Sequence, residues 1–217
     1  MENEYQNRRE FLKLASLALA FPLVGGCTPE NEAQYPGLDI LSQIKRNAIT
    51  SGGEVWWGAI EAPANVSSRA VLANGGDRGE PIIVSGTVFM PDGKTPAPNV
   101  LIYLYHTDVY GIYGRTGEHK HGRFRGWMLT DDKGRYELRT IKPASYPNLT
   151  QFAHIHMTLT GTDFREDWAD SILFEGDKFL TEKARRPERG GFNHVLTLVK
   201  GSDGIARGVR NIQLWQT

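Results

Sequence analysis

From Pro81 to Trp215 turn signals cut the chain into short strand-like segments, and no other feature limits its fold as much. The predicted strands are 82–89, 100–105, 126–130, 135–141, 151–159, 170–174, 195–200 and 209–215. Between them stand Pro91-Asp92-Gly93, Asp131-Asp132-Lys133-Gly134, Gly161-Thr162-Asp163 and Gly201-Ser202-Asp203-Gly204, which carry the residue types that set tight turns. Arg135-Tyr136-Glu137-Leu138-Arg139 alternates cleanly, so one face of its sheet is expected to meet water. Many short strands with little helix predict an all-β chain, a β-sandwich core with a short N-terminal helix and irregular segments. The helix is read from Leu38, Ile40, Leu41 and Ile44, which recur at helical spacing.

A chain of 217 residues with 40% apolar residues suits one core plus extensions. Lys+Arg and Asp+Glu are balanced at 25 each, and no basic stripe carries interleaved aromatics, so nucleic acid is not an expected partner. Residues 1–26 read as an address. Arg8-Arg9-Glu10-Phe11-Leu12-Lys13 resembles a Tat export signal, the apolar run from Leu14 to Val24 is too short for a spanning helix, and Val24-Gly25-Gly26-Cys27 resembles a lipobox. The lone cysteine, Cys27, is therefore the expected lipidation site of an exported, periplasmic or cell-surface lipoprotein. Residues 27–78 are expected to form a tether and N-terminal extension, with Trp56-Trp57 packing over an open edge, and 79–217 the sandwich domain. Nothing in the sequence fixes an oligomeric state.

Within the strand region, Ala153 to Leu159 alternates His154, His156 and Thr158 against Ile155, Met157 and Leu159. On a half-buried strand both imidazoles leave by one face. Tyr146 stands eight residues before His154 and Tyr113 a further 33 residues back, so two phenols and two imidazoles can meet if strands cross. Imidazole serves several transition metals, whereas a phenol must first lose a proton held with a pKa near 10. A hard, strongly charged cation such as ferric iron drives that loss, and two phenolates with one hydroxide cancel its three charges.

Five motifs in order carry a family resemblance: Gly111 to Tyr113, Thr130 to Tyr136, Thr140 to Pro147, Ala153 to His156 and Phe174 to Asp177. Together they resemble the core of the intradiol ring-cleavage dioxygenases, over about residues 79 to 177. The resemblance implies Fe(3+) held by Tyr113, Tyr146, His154 and His156, with a catechol-type substrate and O2 as reaction partners. It also implies a catalytic role for Tyr146, as the ligand that departs and takes a substrate proton, and for position 151. There the family usually has an Arg and this chain has Gln151; at position 171 it usually has a Gln and this chain has Ser171.

An alternative is a non-catalytic periplasmic sandwich that binds catecholates or ferric catecholates. A zinc hydrolase built on His154 and His156 lacks a third ligand in the sequence. A second His-x-His, His119-Lys120-His121, lies in a polar segment and is expected to be a solvated loop. His106 and His194 are expected to be surface or hydrogen-bonded residues, Glu175 and Asp177 to shape a turn, and the charged run Lys183 to Arg189, mixed in sign, to be a charged loop, with the gathering of anionic substrates at a pocket mouth as its alternative role.

Overall fold

The computed structural model describes residues 36–49, 57–114 and 119–215. Arg8, Arg9, Cys27 and Trp56 lie outside these residues. Two helices come first, α1 (Pro36–Ile49) and α2 (Trp57–Ile60). Strands follow as β1 (Arg69–Val71), β2 (Pro81–Phe89), β3 (Leu101–His106), β4 (Arg125–Leu129), β5 (Arg135–Ile141) and β6 (His154–Thr160). The last are β7 (Asp167–Phe174), β8 (Val195–Leu196), β9 (Val199–Lys200), β10 (Ala206–Val209) and β11 (Ile212–Gln213). They make two sheets, one ordered β1-β5-β2-β10-β9 with β11 added along β2, the other β4-β3-β6-β7-β8. This is the expected all-β sandwich with a short N-terminal helix.

Alternation explains the core. Ile82, Val84, Val88 and Leu138 of the first sheet face Ile102, Leu104, Met128, Ile155, Met157, Leu159, Ile172 and Phe174 of the second, all buried in one cluster. The opposite face of β5 carries Arg135, Glu137 and Arg139, in the pattern that a sheet wet on one side requires. β3 is buried along its whole length because the second sheet is covered on both faces. Over the far end of its outer face, Leu41, Ile44 and Ala48 of α1 pack with Ala59, Ala62 and Leu101. The rest of that outer face lies under loops, and there the candidate site forms.

Three strand predictions break, one where the chain changes sheets and two where side chains take the ladder bonds. The predicted strand 195–200 divides into β8, paired with β7, and β9, paired with β10, so the chain crosses between sheets at that point. The predicted 209–215 strand is interrupted at Arg210, whose carbonyl accepts the Tyr136 hydroxyl at 2.6 Å, and at Asn211, whose Oδ1 accepts the Thr87 N–H at 3.0 Å. Gly86 permits the first contact, since a Cβ there would stand 1.8 Å from the Arg210 oxygen. β6 begins at His154 rather than at 151, because the Ala153 N–H is taken by Asp177 Oδ2 at 2.8 Å. β1, before Gly79, joins the first sheet beside β5 in parallel, so the sandwich includes part of the segment read as an extension. No helix among the described residues is long and apolar enough to cross a membrane.

Candidate metal centre

The ladder sets the first two donors. β6 lies between β3 and β7, with Tyr105 opposite His156 and Leu173 opposite His154. Because Ile155 and Met157 turn into the core, His154 and His156 leave by the outer face. A register shift between Ile155 and Met157 marks a bulge in the β6–β7 pairing at His156. Such bulges re-aim side chains.

Two loops bring the phenols. Asp108 shapes the first: its Oδ1 accepts the N–H groups of Tyr110 at 2.8 Å and Ile112 at 3.0 Å. The second is tied to it by the Thr107 hydroxyl donating to the Ala144 carbonyl at 2.7 Å and by the Ala144 N–H donating to the Asp108 carbonyl at 3.1 Å. Their closest approach falls at Gly111, whose φ is 77° and where a Cβ would stand 2.0 Å from the Ser145 oxygen. Only glycine meets both conditions. Tyr113 and Tyr146 follow that contact on either loop, and their hydroxyls touch.

The four predicted ligand side chains thus converge. The Tyr146 oxygen is 3.2 Å from His154 Nε2 and 3.4 Å from His156 Nε2, and the two Nε2 atoms are 2.9 Å apart. His154 Nδ1 donates to the Phe152 carbonyl at 2.9 Å, which leaves its Nε2 lone pair facing the cluster. Two imidazole nitrogens and two phenol oxygens at these spacings repel unless protons or a cation stand among them, and a cation serves all four at once. Burial, then the His154 and His121 rings, push His156 down to about 3, and burial lowers His154 too, so both imidazoles are neutral and able to ligate. Burial and the Tyr146 hydroxyl raise Tyr113 well above the ordinary phenol. Its proton is lost only to a strongly charged cation, so the donor set fits a hard trivalent metal better than zinc. Among the described residues no group of three or more His, Cys, Asp or Glu is placed to hold a metal, and the zinc alternative gains no third ligand.

Around the donors the structure adds residues that the sequence reading missed. Tyr105 stacks on His156 with ring centroids 4.6 Å apart, and on its other face His121 lies flat at 3.7 Å and 3°. His121 Nδ1 is 2.7 Å from the Tyr103 hydroxyl, and Trp168 meets His156 edge-on at 5.7 Å. The expectation of a solvated His119-x-His121 loop is therefore corrected: Tyr103 and Tyr105 hold His121 half-buried against their rings, and His119 Nε2 stands 3.5 Å from Glu61. The available signal was Tyr103-Leu104-Tyr105, which at period two places both phenols on one face beside the His strand. Gln151 is half-buried three residues before His154, and Ser171 shares the outer face of β7 with Leu173. His106 is buried, with Nδ1 2.7 Å from the Thr107 carbonyl and Nε2 2.7 Å from the Thr140 hydroxyl. Asp177 shapes the turn through the Ala153 and Phe179 N–H groups, while Glu175 pairs with Arg185 at 2.6 Å.

Residues 59–189 match the family model described as "Dioxygenase". The chain belongs to the intradiol ring-cleavage dioxygenases. Among relatives in that family, the catechol 1,2-dioxygenase of Acinetobacter baylyi is 35% identical over 88 residues, 39% of this chain and 28% of the relative. The protocatechuate 3,4-dioxygenase beta chain of Burkholderia cepacia is 31% identical over 124 residues, 52% of each. The chain thus spans about half or less of the length of these curated relatives. Among solved structures, mercury-inhibited catechol 1,2-dioxygenase from an Acinetobacter species superposes with a TM-score of 0.58 at 26% identity, covering 71% of this chain and 59% of that one. The dioxygenase domain of a carbohydrate-binding fusion from a cellulolytic Streptomyces shares the fold, with a TM-score of 0.54 at 23% identity over 70% of this chain and 91% of that one.

Proposed function

We propose that this intradiol family member is a non-haem Fe(3+) dioxygenase that opens a catechol-type ring between its two hydroxylated carbons with O2. The observation that carries the reading is the convergence of Tyr113, Tyr146, His154 and His156, with the Tyr146 oxygen within 3.4 Å of both imidazoles. Ferric iron held there would supply Lewis-acid activation of a bound catecholate toward O2, giving a muconate-type diacid. His154 and His156, neutral and carried on a strand, stay fixed. Tyr113 is clamped from behind, since a Cβ at Gly122 would stand 1.5 Å from its carbonyl oxygen. Tyr146, on the second loop and half-exposed, is the donor placed to withdraw and to accept a substrate hydroxyl proton at its oxygen.

The test is optical and gasometric. Phenolate-to-iron charge transfer should tint the purified protein red-brown, and catechol should drive oxygen uptake. Colourless protein holding stoichiometric zinc would end this reading. Gln151 and Ser171, where the family usually has Arg and Gln, favour a second reading, a catecholate binder without turnover. Iron and catecholate binding with no oxygen uptake would select it. Arg8-Arg9 and Cys27 support export and anchoring through a lipid on Cys27, which requires two or more acyl chains for stable attachment. Cys27→Ser should then release the protein from membranes; retention with residues 1–26 attached would point to an uncleaved anchor.

A further inference from the structure

Beside His154 the outer face of the second sheet opens into a cavity of about 370 Å³. Leu173, opposite His154 in the ladder, and Ser171 on the same face line it. So does Phe152, whose carbonyl takes the His154 Nδ1 proton and whose ring centroid lies 6.0 Å from the imidazole. At about 30 Å³ per water, that volume holds roughly a dozen waters, far more than a single ring substituent such as a hydroxyl or carboxyl displaces.

Its polar groups are left open by the fold. His194 is buried and lines the cavity; its Nε2 donates to the Ala184 carbonyl at 2.9 Å, while Nδ1, also buried, has no partner among the described residues. Among the described residues the Ser171 hydroxyl has no hydrogen-bond partner either, and Lys183 and Arg186 on the rim have no ion pair. Their neighbours do: Arg185 pairs with Glu175 and Arg189 with Asp167. The stretch 182–189 carries four cations against two carboxylates. Asp170 and Glu188 also border the cavity, but the Asp170 oxygens accept the Glu188 and Arg189 N–H groups at 2.9 to 3.2 Å. The rim therefore favours an anion.

We infer that this cavity is the side-arm subsite for the substrate, a catechol whose ring carries an arm of several carbons bearing a hydroxyl and ending in a carboxylate. The arm's stem runs between Phe152 and Leu173, its hydroxyl meets the Ser171 hydroxyl, and its carboxylate reaches Lys183 and Arg186. This assignment rests on the dioxygenase reading for the role of the ring, while the arm's binding is independent of metal.

The experiment separates the two. Metal-stripped protein is titrated calorimetrically with phenol, hydroxyphenyl-lactate, its amide, and hydroxyphenyl-propionate, none of which has the second ring hydroxyl. The lactate should bind at least tenfold more tightly than phenol, and the amide and propionate should fall between them. The pair Lys183→Gln and Arg186→Gln, both on the exposed rim, should cut the lactate-over-amide preference by about three- to tenfold. Ser171→Leu should cut the lactate-over-phenol preference by filling the cavity. Equal binding of phenol and hydroxyphenyl-lactate, or a lactate-over-amide preference untouched by the rim pair, overturns the inference. Oxygen uptake by the iron-loaded protein is then measured with catechol and with dihydroxyphenyl-lactate. If catechol is opened and the arm brings no gain in kcat/KM, the subsite alone is wrong. If neither is opened, the dioxygenase reading falls, and the cavity's substrate role with it.

Discussion

At the scale of single residues, Tyr146 is the most informative position, because its oxygen alone reaches all three other donors. Tyr146→Phe keeps the ring and removes that oxygen, deleting a ligand and a proton acceptor together. We predict that oxygen uptake with catechol falls about 100-fold or more, the range lost with a general acid–base group, while the melting temperature barely moves. Full activity in the variant would withdraw Tyr146 as the departing donor. Gln151 poses the opposite case. A hydrogen bond from a charged group exceeds a neutral one by about 0.5 to 2 kcal/mol, roughly twofold to thirtyfold in rate. Gln151→Arg should therefore speed single turnover of unsubstituted catechol by about that factor, with iron content unchanged. An Arg variant that binds iron normally and is no faster would show that ring-charge stabilisation is not what position 151 lacks.

At the scale of elements, the two loops matter more than the sheets, because the sheets fix only half of the donors. Gly111 is the hinge of the loop contact, held at φ 77° against the Ser145 carbonyl. Gly111→Ala should cost about 1–3 kcal/mol through that backbone conformation and its clash. It should separate Tyr113 from Tyr146, so metal occupancy and the phenolate absorption band are lost before far-ultraviolet circular dichroism changes. The same division decides what could be read without coordinates. Strands β5 and β6 and the outward pair His154 and His156 follow from a local period of two, and β2 and β3 from short apolar, β-branched or aromatic runs. Tyr113 and Tyr146 follow only from resemblance, since no local periodicity says where a loop residue lands. The break at Arg210 and the sheet crossing between β8 and β9 escape sequence reading because they rest on partners far along the chain, Tyr136 and Thr87 for the first and β7 for the second. His121 escapes for the same reason: its polar neighbours imply solvent, while the rings that half-cover it, Tyr103 and Tyr105, lie on another element.

For the whole molecule, 25 positive and 25 negative side chains balance at pH 7, so net repulsion is small there and the first losses on acidification come from individual groups. Burial lowers five imidazoles: His106 to about 4, His121 to about 4, His156 to about 3, and His119 and His154 in the same direction. Each is lower folded than unfolded, so its contribution is complete above pH ~6.5 and drains away as the pH falls toward the folded value. For fully buried His106 alone this amounts to roughly 3 kcal/mol between pH ~6.5 and 4. A second window lies lower. Hydrogen bonds hold exposed Asp92, Glu175 and Asp203 near 2, so their contributions are lost only as the pH falls below the ordinary carboxylate range. Metal-stripped protein should therefore lose stability between pH 6.5 and 4, before these carboxylates titrate. His106→Gln should flatten that loss, since Gln can still donate to the Thr107 carbonyl and accept from the Thr140 hydroxyl but takes up no proton. Urea midpoints at pH 7, 5.5 and 4.5 for the two proteins would measure it; equal slopes would show that the His106 imidazole is protonated as readily in the folded chain as in the unfolded one.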